Sequence, residues 1–213
     1  MNVILLGGFL GSGKTTALMK FAHYLAGISE PERKNKVVII ENEIGEVGID
    51  DQYLRGGGFK VENLFAGCAC CTVSGELLNA VSKIKKEMDP QWLVVETTGV
   101  AFPQSIQANL MQALKLDSTI CVLADASRWA RLRIPLATVL EDQIKGSDAV
   151  LINKTDLVSA EVMNEVERDI FEIEPNTRII RISAIGEIPC DVWRDVIGAP
   201  GECQSLTEGG KHG

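Results

Sequence analysis

Eight residues, Gly8-Phe9-Leu10-Gly11-Ser12-Gly13-Lys14-Thr15, narrow the architectures open to this chain, because they follow the apolar run Val3-Ile4-Leu5-Leu6 and lead into a helical pattern. A short apolar run reads as a buried strand. Leu18, Phe21, Ala22 and Leu25 then fall at i, i+3, i+4 and i+7, one face of a helix over 15–25. A glycine-rich turn between strand and helix lets backbone N–H groups face phosphate oxygens. The helix start adds partial positive charge, the Lys14 ammonium reaches outer phosphates, and the Thr15 hydroxyl is a ligand for Mg²⁺. Gly8, Gly11, Ser12, Gly13, Lys14, Thr15 and Thr16 are therefore the candidate phosphate-contacting residues.

Apolar strand-like runs recur at 2–6, 36–41, 91–96, 118–124, 148–153 and 178–182. Helical periodicity separates them. Residues 76–88 place Leu77, Val81, Ile84 and Met88 on one face, and 104–115 place Ile106, Leu110 and Leu114. Residues 160–173 do the same with Val162, Val166, Ile170 and Ile173 behind an expected Ser159 cap. The stretch 127–147 is helical in part, with Pro135 breaking it, and 26–35 reads as a loop. This alternation predicts an α/β fold of the P-loop NTPase type, three layers α/β/α around a mostly parallel central sheet, with ligands at the carboxyl ends of the strands. The expected organisation is one domain over 1–198 and a flexible C-terminal tail over 199–213, where apolar content falls away.

A formal net charge of −8 argues against nucleic acid as a partner, since phosphate-backbone binding needs clustered Lys and Arg. No apolar stretch reaches the ~18 residues of a membrane span, and the chain enters its first strand without a leader pattern. A cytoplasmic protein with no membrane contact is expected. In that setting six cysteines point to thiols, metal ligands or redox groups rather than a disulfide framework.

The strand 148–153 runs into Asn153-Lys154-Thr155-Asp156. A carboxylate at Asp156 accepts two hydrogen bonds from guanine N1–H and its 2-amino group, a donor pair that adenine lacks. Asn153 and the Lys154 stem would order the loop and cover the base, and Ser183-Ala184 would offer a backbone N–H to guanine O6. The nucleotide is thus GTP or GDP with Mg²⁺. At the third of the six runs, Glu96-Thr97-Thr98-Gly99 delivers a carboxylate and then a glycine: Glu96 for the magnesium, directly or through water, and the Gly99 N–H for the γ-phosphate. Lys14, Thr15, Glu96 and Gly99 are the candidate catalytic residues. No glutamine is placed to orient an attacking water, so slow intrinsic hydrolysis is expected, accelerated by a partner or by a nucleotide-dependent homodimer.

Gly67-Cys68-Ala69-Cys70-Cys71 lies between the second run and the helix at 76–88. Cys68 and Cys70, one residue apart, can converge on one thiophilic ion at Zn–S distances of ~2.3 Å, with Cys71 completing the set or facing away. Carboxylates follow the second strand at Glu41, Glu43 and Glu46. Inert buried thiols and a redox switch are the competing readings. Cys121 falls within a strand and reads as core.

Taken together, the Gly7-to-Thr16 loop, Glu41-Asn42-Glu43-Ile44-Gly45-Glu46, Gly67-Cys68-Ala69-Cys70-Cys71, Glu96-Thr97-Thr98-Gly99 and Asn153-Lys154-Thr155-Asp156 resemble the CobW/HypB/UreG family, and within it the CobW-like branch. The resemblance implies a GTPase that binds zinc or cobalt and couples hydrolysis to metal delivery into a client metalloprotein. Cys68, Cys70 and Cys71 would be the metal thiolates, with Glu41 and Glu46 as accessory ligands. CobW-like proteins continue into a C-terminal domain, so client recognition here is expected from a separate subunit. Two local departures stand out: Ala101-Phe102-Pro103 where the family has Ala-Asp-Pro, and Ser74 in a segment that commonly carries arginine. The alternative is a nucleotide-dependent regulatory subunit, or one that activates a corrinoid protein, with structural or redox cysteines.

Overall fold

The computed structural model describes residues 1–30, 32, 35–41 and 75–198, and the backbone alone at 59–63 and 73–74. Seven strands form one sheet: β1 (Asn2–Gly8), β2 (Val37–Glu41), β3 (Phe59–Asn63), β4 (Trp92–Glu96), β5 (Ser118–Asp125), β6 (Ala149–Asn153) and β7 (Arg178–Arg181), in the order β3-β2-β4-β1-β5-β6-β7. Every pairing is parallel. The helices are α1 (Lys14–Ile28), α2 (Val73–Glu87), α3 (Pro103–Leu114), α4 (Trp129–Leu132), α5 (Ala137–Ile144), α6 (Ala160–Ile173) and α7 (Cys190–Ile197).

A parallel sheet covered on both faces requires strands that are apolar at every position, and β1 meets that demand by splitting its side chains. Val3 and Leu5 join a core with Val81, Leu110, Leu140 and Val166 from α2, α3, α5 and α6. Ile4 and Leu6 join the opposite core with Leu18, Phe21 and Leu25 of α1 and Trp193 of α7. The three layers are those the alternation predicts. On the second face Phe21 and Trp193 stack with ring centroids 4.8 Å apart, fixing α7 on α1.

Helix ends follow local chemistry. Ser159 caps α6 by accepting from the Val162 N–H, and Pro103 opens α3 with the φ a first turn needs. Three differences from the sequence reading appear. The first helix continues through Ile28, so residues 26–28 are helical rather than loop. As expected, residues 127–147 are helical in part, as two short helices, α4 and α5, with Pro135 in the turn between them. Strand β3 and helix α7 were not anticipated. The expected tail over 199–213 lies outside the described residues, as do Glu43, Glu46, Cys68, Cys70 and Cys71.

Candidate nucleotide and metal site

Strand β1 sits at the centre of the sheet, where the order reverses, and its carboxyl end feeds the glycine-rich loop directly into α1. This is the position at which open α/β sheets bind ligands. Within the loop the Ser12 N–H closes a turn on Phe9 O at 3.1 Å, and Gly13 is the N-cap of α1. Lys14 is buried, with Nζ 3.5 Å from the Phe9 carbonyl. Thr15 is half-buried and Thr16 exposed. Ser12 Oγ is buried and has no hydrogen-bond partner among the described residues, an orphaned polar atom in a loop built to meet an oxyanion.

The loop is braced from outside by the ends of β5 and β6. Asn153, 2% exposed, donates from Nδ2 to Ser12 O at 2.8 Å, while its Oδ1 accepts from the N–H groups of Lys154 and Ala184, each at 2.8 Å. One buried amide thus ties the phosphate loop to both loops assigned to the base. Lys154 donates from Nζ to Gly11 O at 2.8 Å. Asp156 stands in a short 3₁₀ turn, Thr155–Leu157, and accepts from Ser183 Oγ at 2.5 Å, which orients the carboxylate against the 183–184 loop. Of the Ser183-Ala184 pair, expected to offer a backbone N–H to guanine O6, the Ala184 N–H is held here by Asn153.

Asp125, at the end of β5, is a residue the sequence reading missed. Its carboxylate accepts from Lys154 Nζ (2.7 Å), Arg128 Nε (2.7 Å), the Ser127 N–H (3.0 Å) and Ser127 Oγ (2.6 Å). Burial pushes the Asp125 carboxyl up, but hydrogen bonds from Lys154, Ser127 and Arg128 and the Lys154 charge outweigh it and hold the group below the usual carboxylate range.

On the other side of β1, Glu96 ends β4 and Glu41 ends β2. The two are register partners, and both are buried. The Thr15 hydroxyl donates to Glu96 Oε1 at 3.4 Å. A threonine hydroxyl beside a carboxylate is a hard oxygen pair of the kind Mg²⁺ takes. Beyond Glu96, the Gly99 loop lies against the phosphate loop: a Cβ on Gly99 would stand 2.8 Å from Leu10 N, so only glycine allows this approach. The Gly99 carbonyl accepts from Gln143 Nε2 of α5 at 2.8 Å, a second contact not visible in the sequence. Cys121 is buried in β5 as expected, and burial pushes its thiol up to about 12, which makes it inert.

A seven-stranded parallel sheet with a glycine-rich loop between its central strand and a helix, braced by an Asn-Lys-x-Asp turn, defines a P-loop nucleotide-binding protein of the three-layer α/β/α class. The chain belongs to the CobW/HypB/UreG family, whose nucleotide-binding domain matches residues 2–181. It is 30% identical over 223 residues to zinc-regulated GTPase metalloprotein activator 1 of Dictyostelium discoideum, covering 85% of this chain and 45% of that protein. It is 35% identical over 175 residues to the zinc chaperone YjiA of Escherichia coli, covering 76% of this chain and 52% of that one. The crystal structure of Zn(II)-bound YjiA GTPase from E. coli superposes with a TM-score of 0.61 at 25% identity, over 93% of this chain and 62% of that chain. The chain spans about half the length of the curated relatives it matches. Among the described residues no helix is long and apolar enough to cross a membrane.

Proposed function

We propose that this chain binds and hydrolyses GTP, binds a thiophilic metal, zinc or cobalt, and couples hydrolysis to delivery of that metal into a client metalloprotein. The observation that carries the reading is the pairing of Glu41 with Glu96 across adjacent strands, with Thr15 on Glu96 at 3.4 Å. One carboxylate faces the nucleotide side of the sheet edge, and its neighbour belongs to the segment assigned to the thiophilic ion. That adjacency is what supports coupling between the nucleotide side and the metal segment.

Within this reading Asp156 selects guanine, and Asn153, Lys154, Ser183 and Ala184 shape the base loop. Gly8, Gly11, Ser12, Gly13, Lys14, Thr15 and Thr16 meet the phosphates. Thr15 and Glu96 would hold Mg²⁺, which supplies charge neutralisation at the β- and γ-phosphates when bound. The Gly99 N–H reports the γ-phosphate. Cys68, Cys70, Cys71, Glu41 and Glu46 take the cargo metal. The names of the relatives, a zinc chaperone and a zinc-regulated GTPase metalloprotein activator, support zinc as that cargo. Intrinsic turnover is slow, and a client, a recognition subunit or a second copy accelerates it in the cytoplasm.

The test is a pair of measurements on reduced protein. Wild type is expected to hold stoichiometric zinc and to release phosphate from GTP and not from ATP. The double variant Cys68→Ser, Cys70→Ser is expected to lose the zinc while GDP affinity stays within about twofold, because the thiols lie outside the phosphate loop. Zinc retained in the double variant, or ATP hydrolysed as readily as GTP, would overturn the assignment.

A further inference from the structure

Three consecutive carbonyls of the phosphate loop accept hydrogen bonds from outside the loop. Arg128 Nη2 donates to Leu10 O at 2.6 Å, Lys154 Nζ to Gly11 O at 2.8 Å and Asn153 Nδ2 to Ser12 O at 2.8 Å. Lys154 and Asn153 belong to the base-recognition turn. Arg128 does not: it precedes α4 and has no part in the nucleotide assignment so far. Its guanidinium lies directly on Gly11, where a Cβ would stand 2.9 Å from Nη2 and 3.3 Å from Nη1, and Gly11 has φ +74°. The contact thus depends on glycine at that position. The other edge of the fork is fixed, with Nε on Asp125 Oδ2 at 2.7 Å, the same oxygen that holds Lys154 Nζ at 2.7 Å. Asp125 is 1% exposed at its side chain.

We infer that Arg128, anchored by Asp125, is a positioning residue for the nucleotide phosphates, acting through the Leu10–Gly11 peptide. A peptide unit is planar and trans, so a carbonyl held outward turns the N–H of the next residue inward. Arg128 on Leu10 O therefore aims the Gly11 N–H at the phosphate cradle. A cation on that carbonyl also polarises the peptide, making the N–H a stronger donor to an anion. With Leu10 O released, the plane is free to rotate and its N–H has to be reoriented when ligand binds. Preorganised donors avoid that reorganisation. Asp125 sets the position of both cations, so the brace over Leu10 and the brace over Gly11 share one anchor. In this role Arg128 acts on the phosphates through the Leu10–Gly11 peptide rather than by direct contact.

The inference rests on the loop holding a guanine nucleotide, and the experiment separates the two ideas. GDP and guanosine affinities are measured by competition against a fluorescent GDP for wild type, Arg128→Ala and Arg128→Lys. Guanosine carries the base without the phosphates. Loss of a charged hydrogen bond predicts that Arg128→Ala binds GDP about tenfold more weakly while guanosine affinity stays within about twofold. Arg128→Lys falls between, since an ammonium meets either Leu10 O or Asp125 but not both in a fork. A purely structural role would weaken GDP and guanosine by the same factor, and that result overturns the inference, as does an unchanged GDP affinity in Arg128→Ala. Failure of wild type to bind GDP would overturn the nucleotide assignment and this inference with it.

Discussion

Asp125 gathers two cations and a serine onto one buried carboxylate, and its charge state has a measurable consequence for stability. Its folded-state value lies below the unfolded one of about 3.9, so the ionised form stabilises the fold. That contribution is fully present above the unfolded value and is lost as pH falls through the folded value. Asp125→Asn keeps the shape and removes the charge. The difference in unfolding free energy between wild type and Asp125→Asn, from urea titrations, is expected to be constant from neutral pH down to about 4 and to shrink below it. A difference that stays constant into strong acid would show that the ionised carboxylate contributes nothing. Residues of this kind were illegible in the sequence. Asp-x-x-Arg is an ordinary local pair, and only folding brings Lys154, 29 residues later, and Leu10, 118 residues before Arg128, to the same place. Asn153, Asp156 and the phosphate loop were legible because their chemistry is packed into short spacings at strand ends.

Helix α6 shows what an element can reveal before folding. Met163, Val166 and Ile170 are buried, Val162 and Ile173 pack at the edge of the core, and Ser159 caps the start, all but Met163 read from periodicity and cap chemistry. The cap bond to Val162 N is long at 3.5 Å and exposed. Ser159→Ala is therefore expected to cost about 0.5–1 kcal/mol, the low end for an N-cap, read as a lower urea midpoint with an unchanged slope. A loss near 2 kcal/mol would mean that the cap bond is stronger in solution than its geometry suggests. Elements that escaped the sequence reading lack a long pattern. Phe59-Lys60-Val61-Glu62-Asn63 alternates apolar and charged residues after three glycines, as suits an edge strand, whereas the central strands were recognised by continuous apolar runs. Helix α7 spans only eight residues, too few for a periodicity window, and is held by tertiary contact of Trp193 on Phe21.

At the scale of the whole molecule the sheet order divides the site. Strands β2 and β4 bring Glu41 and Glu96 to one side of the phosphate loop, and β5, β6 and β7 bring Asp125, the Asn153-to-Asp156 turn and the Ser183 loop to the other. A guanine nucleotide bound across β1 would bridge the two halves. Its base end would meet the braced, hydrogen-bonded side, and its γ-phosphate the side that carries the carboxylates and the Gly99 loop. Gln143 of α5 holds that loop by the Gly99 carbonyl, so closure on a γ-phosphate would have a fixed point to work against. If hydrolysis drives metal delivery as proposed, zinc affinity differs between the nucleotide states, and that linkage is reciprocal. The expected outcome is that zinc binds the complex with a non-hydrolysable GTP analogue and the GDP complex with affinities differing by about five- to a hundredfold, and that zinc shifts the preference for the analogue over GDP by the same factor. Calorimetric titrations closing the cycle in both directions measure this. Equal zinc affinities in the two nucleotide states would leave the Glu41–Glu96 neighbourhood without a role in coupling, whatever the hydrolysis rate.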